Sequence, residues 1–321
     1  MTTLAELGEF DLIARIKARA SRLHSRDVVV GIGDDAAVLR PRANEDLVVS
    51  TDALVEDVHF RWDNQSPASL GRRALLANLS DLAAMGARPV GFTLALSAPT
   101  SLTLTRIDGM LGGLLREAKA YGCPLIGGNL SRAKQTTMAI TVLGAVQQGR
   151  ALRRDTAQPG DAICVTGTLG GAGLALRKSG DSGSALRHLP KARVAAGRAL
   201  ARLKNAGACI DISDGFVSDL GHVLKASGVG AEIDLSRIPT PRAFARGCEQ
   251  LGLDATKIAL HAGEDYELLF TLRSLNGVRR PSEAALSKRL GVQVTEVGRV
   301  EKARGLRGLG ASSSAAGFRH F

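Results

Sequence analysis

Aromatic residues are scarce in this chain, at 3% of 321 residues with one Trp and two Tyr. Too few rings accompany the basic residues to stack on nucleic-acid bases, and the core must be built from Ala, Leu, Val and Gly. Cysteine pairs are missing as well. Cys123, Cys164, Cys209 and Cys248 lie far apart and form no CxxC, which favours buried reduced thiols over a disulfide frame or a zinc site. No apolar run has the length of a membrane span, so no membrane partner is expected. The stretch MTTLAELGEFDLIARIKARA is amphipathic and acidic early, unlike a signal peptide. The expected location is the cytoplasm.

The formal net charge of +11 is spread along the chain, with only short groups such as Arg153-Arg154 and Arg279-Arg280. An anionic small substrate or a solvated surface accounts for it as well as nucleic acid does. The 45% of hydrophobic residues allows a sizeable core, and the length allows two domains.

Apolar residues at helical spacing (Phe10, Ile13, Ile16, Ala20) predict a first helix over 10–20. Strands are expected at 28–32, 36–39 and 47–50. Ser66 as N-cap with Pro67 at the first helical position opens a helix ending near Gly86. A strand at 90–97, a helix over 103–121 and strands at 124–126 and 136–146 follow. Pro159-Gly160-Asp161 is a turn leading into a strand at 162–166, and places a domain boundary just before it: 1–150 and 151–321. The second part alternates helices (after Gly170, 192–203, 216–226) with strands (208–212, 231–235, 266–272, 292–300). Such alternation defines an α/β or α+β protein. The Gly/Ser-rich stretches 179–188 and 305–316 read as mobile loops.

Neither of two glycine-rich stretches holds phosphate convincingly. Gly167–Gly173 follows a strand and precedes a helix but lacks the Gly-Lys-Ser/Thr ending of a P-loop; it reads as a tight turn. Gly31-Ile-Gly-Asp-Asp-Ala36 matches a dinucleotide fingerprint only superficially, because Asp34 and Asp35 would repel a pyrophosphate. Paired carboxylates beside glycines suit a hard cation. Further oxygen donors recur in similar settings: Ser50-Thr51-Asp52 at a strand end, Asp81 within a helix rich in Ala and Leu, and Asp211 and Asp214 between a strand and a helix. There, Ser213 and the backbone N–H groups offer themselves to phosphate. Singly, each Asp reads equally as a cap or turn residue, Asp214 above all. Together they describe a divided Mg²⁺ site.

These motifs resemble the thiamine-monophosphate kinase family, of the superfamily that includes aminoimidazole ribonucleotide synthetase. The matching stretches run in order along the chain: Gly31-Ile-Gly-Asp-Asp-Ala-Ala-Val38, Ser50-Thr-Asp-Ala-Leu-Val55, Val58-His-Phe60 and Asn78-Leu-Ser-Asp-Leu-Ala-Ala-Met-Gly-Ala87. Ile126-Gly-Gly128, Ile210-Asp-Ile-Ser-Asp-Gly215, Gly263-Glu-Asp-Tyr-Glu-Leu268 and Gly317-Phe-Arg-His-Phe321 follow. The resemblance implies a two-domain architecture, with an N-terminal sheet pairing across a homodimer and a C-terminal α/β domain. It implies ATP-dependent phosphorylation of thiamine monophosphate, with several Mg²⁺ ions. By motif position Asp35, Ser50, Thr51, Asp52, Asp81, Asp211 and Asp214 would hold metal. Gly128, Asn129, Arg154 and Ser213 would meet ATP, and His59, Glu264 and Phe318 would line the thiamine pocket. One departure stands out: the family's Gly-Gly-Asp is here Gly127-Gly128-Asn129, which removes a charge and leaves residue 129 a nucleotide contact. No general base is needed, since the acceptor is itself an ionised phosphate.

His59 and Phe318 read equally well as packing residues, and Glu264 and Asp265 as the start of a strand. Another ATP-dependent synthetase of the superfamily is the nearest rival. An anion- or nucleic-acid-binding protein is the more distant one.

Overall fold

A computed structural model of the chain describes residues 2–20, 23–179, 189, 191–274 and 280–309. Two units divide it: the first from the described residues of Met1–Leu82, Arg88–Gly149 and Ser179–Leu189, the second from those of Ala83–Ala87, Arg150–Lys178 and Pro190–Phe321.

In chain order the first part carries α1 (Leu4–Leu7), α2 (Glu9–Ala20), β1 (Val28–Val30), β2 (Val38–Leu39), β3 (Glu45–Val55), α3 (Pro67–Ala84), β4 (Arg88–Ala98), α4 (Leu104–Tyr121), β5 (Leu125–Arg132) and β6 (Thr137–Gln147). The ends of α3 and α4 follow local chemistry. Ser66 Oγ accepts the Ser69 amide at 3.1 Å ahead of Pro67, and Thr103 caps α4, which closes on left-handed Gly122. A four-stranded sheet has the order β3-β6-β4-β5, antiparallel except for β4–β5.

Helix α3 is buried along most of its length, so its polar side chains must find partners inside. Asn78 donates to the Ala74 carbonyl at 2.9 Å, and Arg73 donates to the His59 carbonyl at 2.8 Å. Helices α3 and α4 cross backbone to backbone. A Cβ at Gly113 would lie 1.9 Å from the Ala68 carbonyl oxygen, and one at Gly71 as close to that of Met110.

The second unit carries β7 (Ala162–Thr166), α5 (Gly171–Ser179), α6 (Val194–Leu200), β8 (Ala206–Asp211), α7 (Phe216–Ser227), β9 (Gly230–Ile233), α8 (Phe244–Glu249), α9 (Ala255–His261), β10 (Leu268–Leu272), α10 (Glu283–Leu290), β11 (Val294–Glu301) and β12 (Gly305–Arg307). Its sheet has the order β12-β9-β11-β7-β10-β8, and its pairs are antiparallel apart from β12–β9. Every residue of β7 and β10 is buried. Ile163, Val165, Ile210, Phe216, Leu220 and Leu269 form the centre of its core. The α/β-or-α+β expectation thus resolves to helices with mainly antiparallel sheets.

Three expectations are corrected. The strand expected at 47–50 runs on to Val55, and the short strand at 124–126 continues to Arg132. In the C-terminal stretch taken as mobile from residue 305, Gly305–Arg307 pair in parallel with β9. Residues 180–188 and 310–321 lie outside the described ones. All four cysteines are buried and free, and burial raises the thiols of Cys123, Cys164 and Cys209 far above their ordinary range.

The helix crossing gives a direct test. Gly113→Ala should destabilise the protein by about 1–3 kcal/mol, as overpacking does. A thermal-unfolding midpoint within 1 °C of the parent, on the order of experimental error, would show that α3 and α4 can separate freely.

Candidate functional site

In the first unit, two expected ligands touch between β3 and α3, and the backbone of a third is tied to the same helix. Ser50 donates its hydroxyl to Asp81 Oδ2 at 2.6 Å, and the Asp52 amide donates to Asn78 Oδ1 at 3.1 Å. Ser50 and Asp52 are two apart on a strand, so both point to the α3 side. Asn78 is a residue that sequence reasoning passed over. Its amide ties the backbone of β3 to the helix that carries Asp81, and its own Nδ2 is held by Ala74.

Because β3 continues through Ser50-Thr51-Asp52, Thr51 faces the other way. Its hydroxyl lies 3.0 Å from both the Ile140 carbonyl and Thr141 Oγ1. The expectation that Ser50, Thr51 and Asp52 would all hold metal set them at a strand end; the two-residue period of a continuing strand turns the Thr51 hydroxyl to the opposite face. Asn129 is on that opposite face too, in register with Ala95, which pairs in turn with Ala139. Gly128 is beside Leu94, one step along β5. Asp35 is exposed, its amide bonded to Asp34 Oδ1 at 2.9 Å.

His59 follows β3. Its Nδ1 accepts the Val55 amide at 3.0 Å, so the neutral ring carries its proton on Nε2. Nearby, Trp62 packs edge-on to Phe60 and under the Arg106 guanidinium, 5.0 Å from the ring centre. Phe318 lies outside the described residues.

In the second unit the chain leaves β8 at Asp211, which is buried, and turns through Ile212–Gly215 into α7. Asp219, in the first turn of that helix, reaches back. Its Oδ2 accepts the amides of Ser213, Asp214 and Gly215 at 3.0, 3.1 and 3.1 Å. These amides had been expected to meet phosphate; the protein's own carboxylate already occupies them, so a ligand here meets side chains instead. Burial pushes the Asp219 carboxyl up to about 7, against the opposing pull of these amide bonds. Ligand atoms of Asp214, Asp219 and exposed His222 lie within 4.8 Å of one another, the one such group of three among the described residues.

The segment after α9 is laced to this turn. The amides of Glu264 and Tyr266 donate to the carbonyls of Ser213 and Ile212, both at 2.8 Å, and the Ile212 amide to the Glu267 carbonyl at 2.8 Å. The approach is tight: a Cβ on Gly263 would lie 2.1 Å from the Ser213 carbonyl oxygen. Glu264 and Tyr266 adopt left-handed φ of 64° and 50°, a strained state for residues with side chains. Asp265, read from sequence as a strand start, is instead buried at the N-terminus of α5, accepting the Gly170 and Ala172 amides at 2.7 and 3.3 Å. It fills the anion position of the glycine-rich turn that had been set aside as a P-loop. Glu267 accepts from Thr166 Oγ1 at 2.7 Å and pairs with Arg193. Arg154 is exposed next to a short backbone bridge from Arg153 to Ala208 in β8.

The two parts of the chain match two family models: "AIR synthase related protein, N-terminal domain" over residues 33–146 and "AIR synthase related protein, C-terminal domain" over 158–309. A two-domain protein with the fold of the AIR synthase related class is thereby defined. Among curated relatives, thiamine-monophosphate kinase of Escherichia coli strain K12 is 44% identical over 306 residues, spanning 91% of this chain and 90% of its own. The crystal structure of thiamine-monophosphate kinase from Stenotrophomonas maltophilia K279a aligns with a TM-score of 0.81 and 38% identity, over 96% of this chain and 98% of the other. The structure of AaThiL complexed with AMPPCP and TMP gives 0.76 and 32%, over 100% and 99%. The chain belongs to the thiamine-monophosphate kinase family.

The Asp265 cap has a measurable pH signature. Burial above all pushes this carboxyl up to about 7 from an ordinary 3.8, so the folded state holds a proton that the unfolded state releases. Its contribution should therefore fall as pH rises from about 4 to about 7. Asp265→Asn should flatten the stability–pH curve in that window when followed by urea unfolding. An unchanged slope would remove Asp265 as its source.

Proposed function

We propose that the chain transfers the γ-phosphoryl group of ATP to thiamine monophosphate, giving thiamine diphosphate and ADP. The observation that carries this reading is the Ser50–Asp81 oxygen pair with Asp52 two residues further along the same face of β3, in a family where a relative holds AMPPCP and TMP together. Hard carboxylate and hydroxyl oxygens on β3 and α3, with Asp52 open to solvent, fit Mg²⁺ better than a soft metal. Asp35, Ser50, Asp52 and Asp81 of the first unit, and Asp211 and Asp214 of the second, are the residues assigned to hold it. The Thr51 hydroxyl is left out because it bonds on the other face of the sheet. When bound, the metal neutralises phosphate charge and aligns the reacting oxygens.

The remaining roles fall to side chains. Gly128, Asn129, Arg154 and the Ser213 hydroxyl are assigned to the nucleotide, Arg154 countering charge on the transferred group. The acceptor oxygen is ionised near neutral pH, so the protein has to orient it rather than deprotonate it. His59, with Nε2 as its N–H donor, and Glu264, a carboxylate for the thiazolium cation, are assigned to thiamine monophosphate together with Phe318. Domain limits of 1–150 and 151–321 complete the assignment.

We further propose a homodimer built on the first unit's sheet. In support, Leu47 and Val49 of edge strand β3 are 52% and 60% exposed on the face away from α3, an apolar edge that monomers ordinarily protect. A cytoplasmic location accords with the described helices, none of which is long and apolar enough to cross a membrane.

ADP formation should require both thiamine monophosphate and Mg²⁺; turnover without either would refute the reaction. Asp81→Ala and Asp52→Ala should each lower kcat by more than about 100-fold, beyond the 10–100-fold typical of outer-shell partners, with unfolding midpoints near the parent's. Activity within tenfold, about 1.4 kcal/mol, would refute the ligand assignment. Val49→Glu should shift sedimentation from dimer to monomer; a parent that sediments as a monomer would end the dimer proposal.

A further inference from the structure

The four amides of the turn between β8 and α7, Ile212–Gly215, are all engaged. Asp219 takes the three successive amides of Ser213, Asp214 and Gly215 on a single oxygen. From the opposite side, Glu264 and Tyr266 take the carbonyls of Ser213 and Ile212. Three convergent amides at a helix start are ordinarily an anion-binding concavity. Here the anion is internal, only 2% exposed, and four positions along the helix that it caps. Two things follow physically. An external phosphate has no backbone donors left to bind on this turn. The direction in which Ser213 and Asp214 project is set by where the Asp219 oxygen holds their amides.

We infer that Asp219 is a positioning residue: it closes the amide concavity of this turn to phosphate and aims the Asp214 carboxylate and Ser213 hydroxyl outward for a metal-bound nucleotide. In this role Asp219 acts through the turn, its Oδ2 taken up by the three amides, although one of its oxygens lies within 4.8 Å of ligand atoms of Asp214 and His222. The inference rests on the proposed reading that Asp214 holds a cation, and its test is separable from that reading. It also makes a specific demand on chemistry. If the carboxylate is removed and the three amides remain, a small external carboxylate should fit in its place and restore the aim of the turn.

The experiment is a Mn²⁺ titration of the full chain by electron paramagnetic resonance with AMPPCP present, comparing the parent with Asp214→Asn, Asp219→Asn and Asp219→Ala. Asp214→Asn defines the metal class at this turn; if it removes none, the reading of Asp214 as a ligand fails and the aim assigned to Asp219 falls with it. Asp219→Ala should weaken that class by about tenfold or more, the range for partners that orient ligands. Millimolar formate should recover part of the loss, and chloride at equal ionic strength should not. In the kinase assay the same variant should lower kcat, and formate should restore part of it. Asp219→Asn keeps the shape, loses the charge, and should weaken the metal class even if Asp219→Ala does not fold. Three further outcomes overturn the inference: unchanged Mn²⁺ affinity in a folded variant, a loss in Asp219→Ala that formate leaves in place, or unfolding of both variants.

Discussion

Carboxylates taken out of water must be met by donors, and several in the second unit are, three of them around the turns that carry its candidate site. Asp219 collects the amides of one strand-to-helix turn, Asp265 those of another, and Glu267 a threonine hydroxyl and a guanidinium. An ion left buried without such partners would cost several kcal/mol, so the positions of Gly170–Ala172, Ser213–Gly215 and Arg193 are coupled to these three side chains. The strained backbone at Glu264 and Tyr266 is tolerable for the same reason. Both residues are pinned by amide bonds to Ile212 and Ser213, which over-determine the conformation.

The first unit depends on a different constraint, the two-residue period of β3. One face of that strand meets α3 through the Ser50 hydroxyl on Asp81, and the strand's backbone is tied to the same helix by the Asp52 amide on Asn78. The other carries Leu47, Val49 and Thr51. Helix α3 can bring Asp81 and Asn78 to the strand because it is buried and crosses α4 at backbone contact through Gly71 and Gly113. Rigid elements on both sides suit a group of oxygens whose spacing decides which cation they hold.

Much of this was legible beforehand where the code is local. Ser66-Pro67, Thr103 and Gly122 are caps whose chemistry lies within a few residues, and α3 and α4 start and stop at them. The motifs around Asp52, Asp81 and Asp211–Gly215 were visible through their resemblance to a kinase family, which the domain matches and relatives then established. Strand β3 was cut short because Ser50-Thr51-Asp52 interrupts the apolar run, and an edge strand need not stay apolar. Strand β5 was cut short because Gly127-Gly128 is a poor strand former. The roles of Asp219 and Asp265, the latter read as a strand start, were not legible for a physical reason: Asp265 caps a turn 95 residues away, and no local pattern announces such a partner. Asp219 was hidden inside an ordinary amphipathic helix.

The buried cysteines have a use beyond packing. Cys123 lies in the first unit, directly after α4, while Cys164, Cys209 and Cys248 lie in β7, β8 and α8 of the second. A thiol must ionise and meet its reagent to be alkylated, and burial denies Cys123, Cys164 and Cys209 both. The rate at which each thiol reacts is therefore set by how often its surroundings open. The natural chain thus carries reporters in both units, and mass-resolved alkylation of the unaltered protein can rank the opening of one unit against the other.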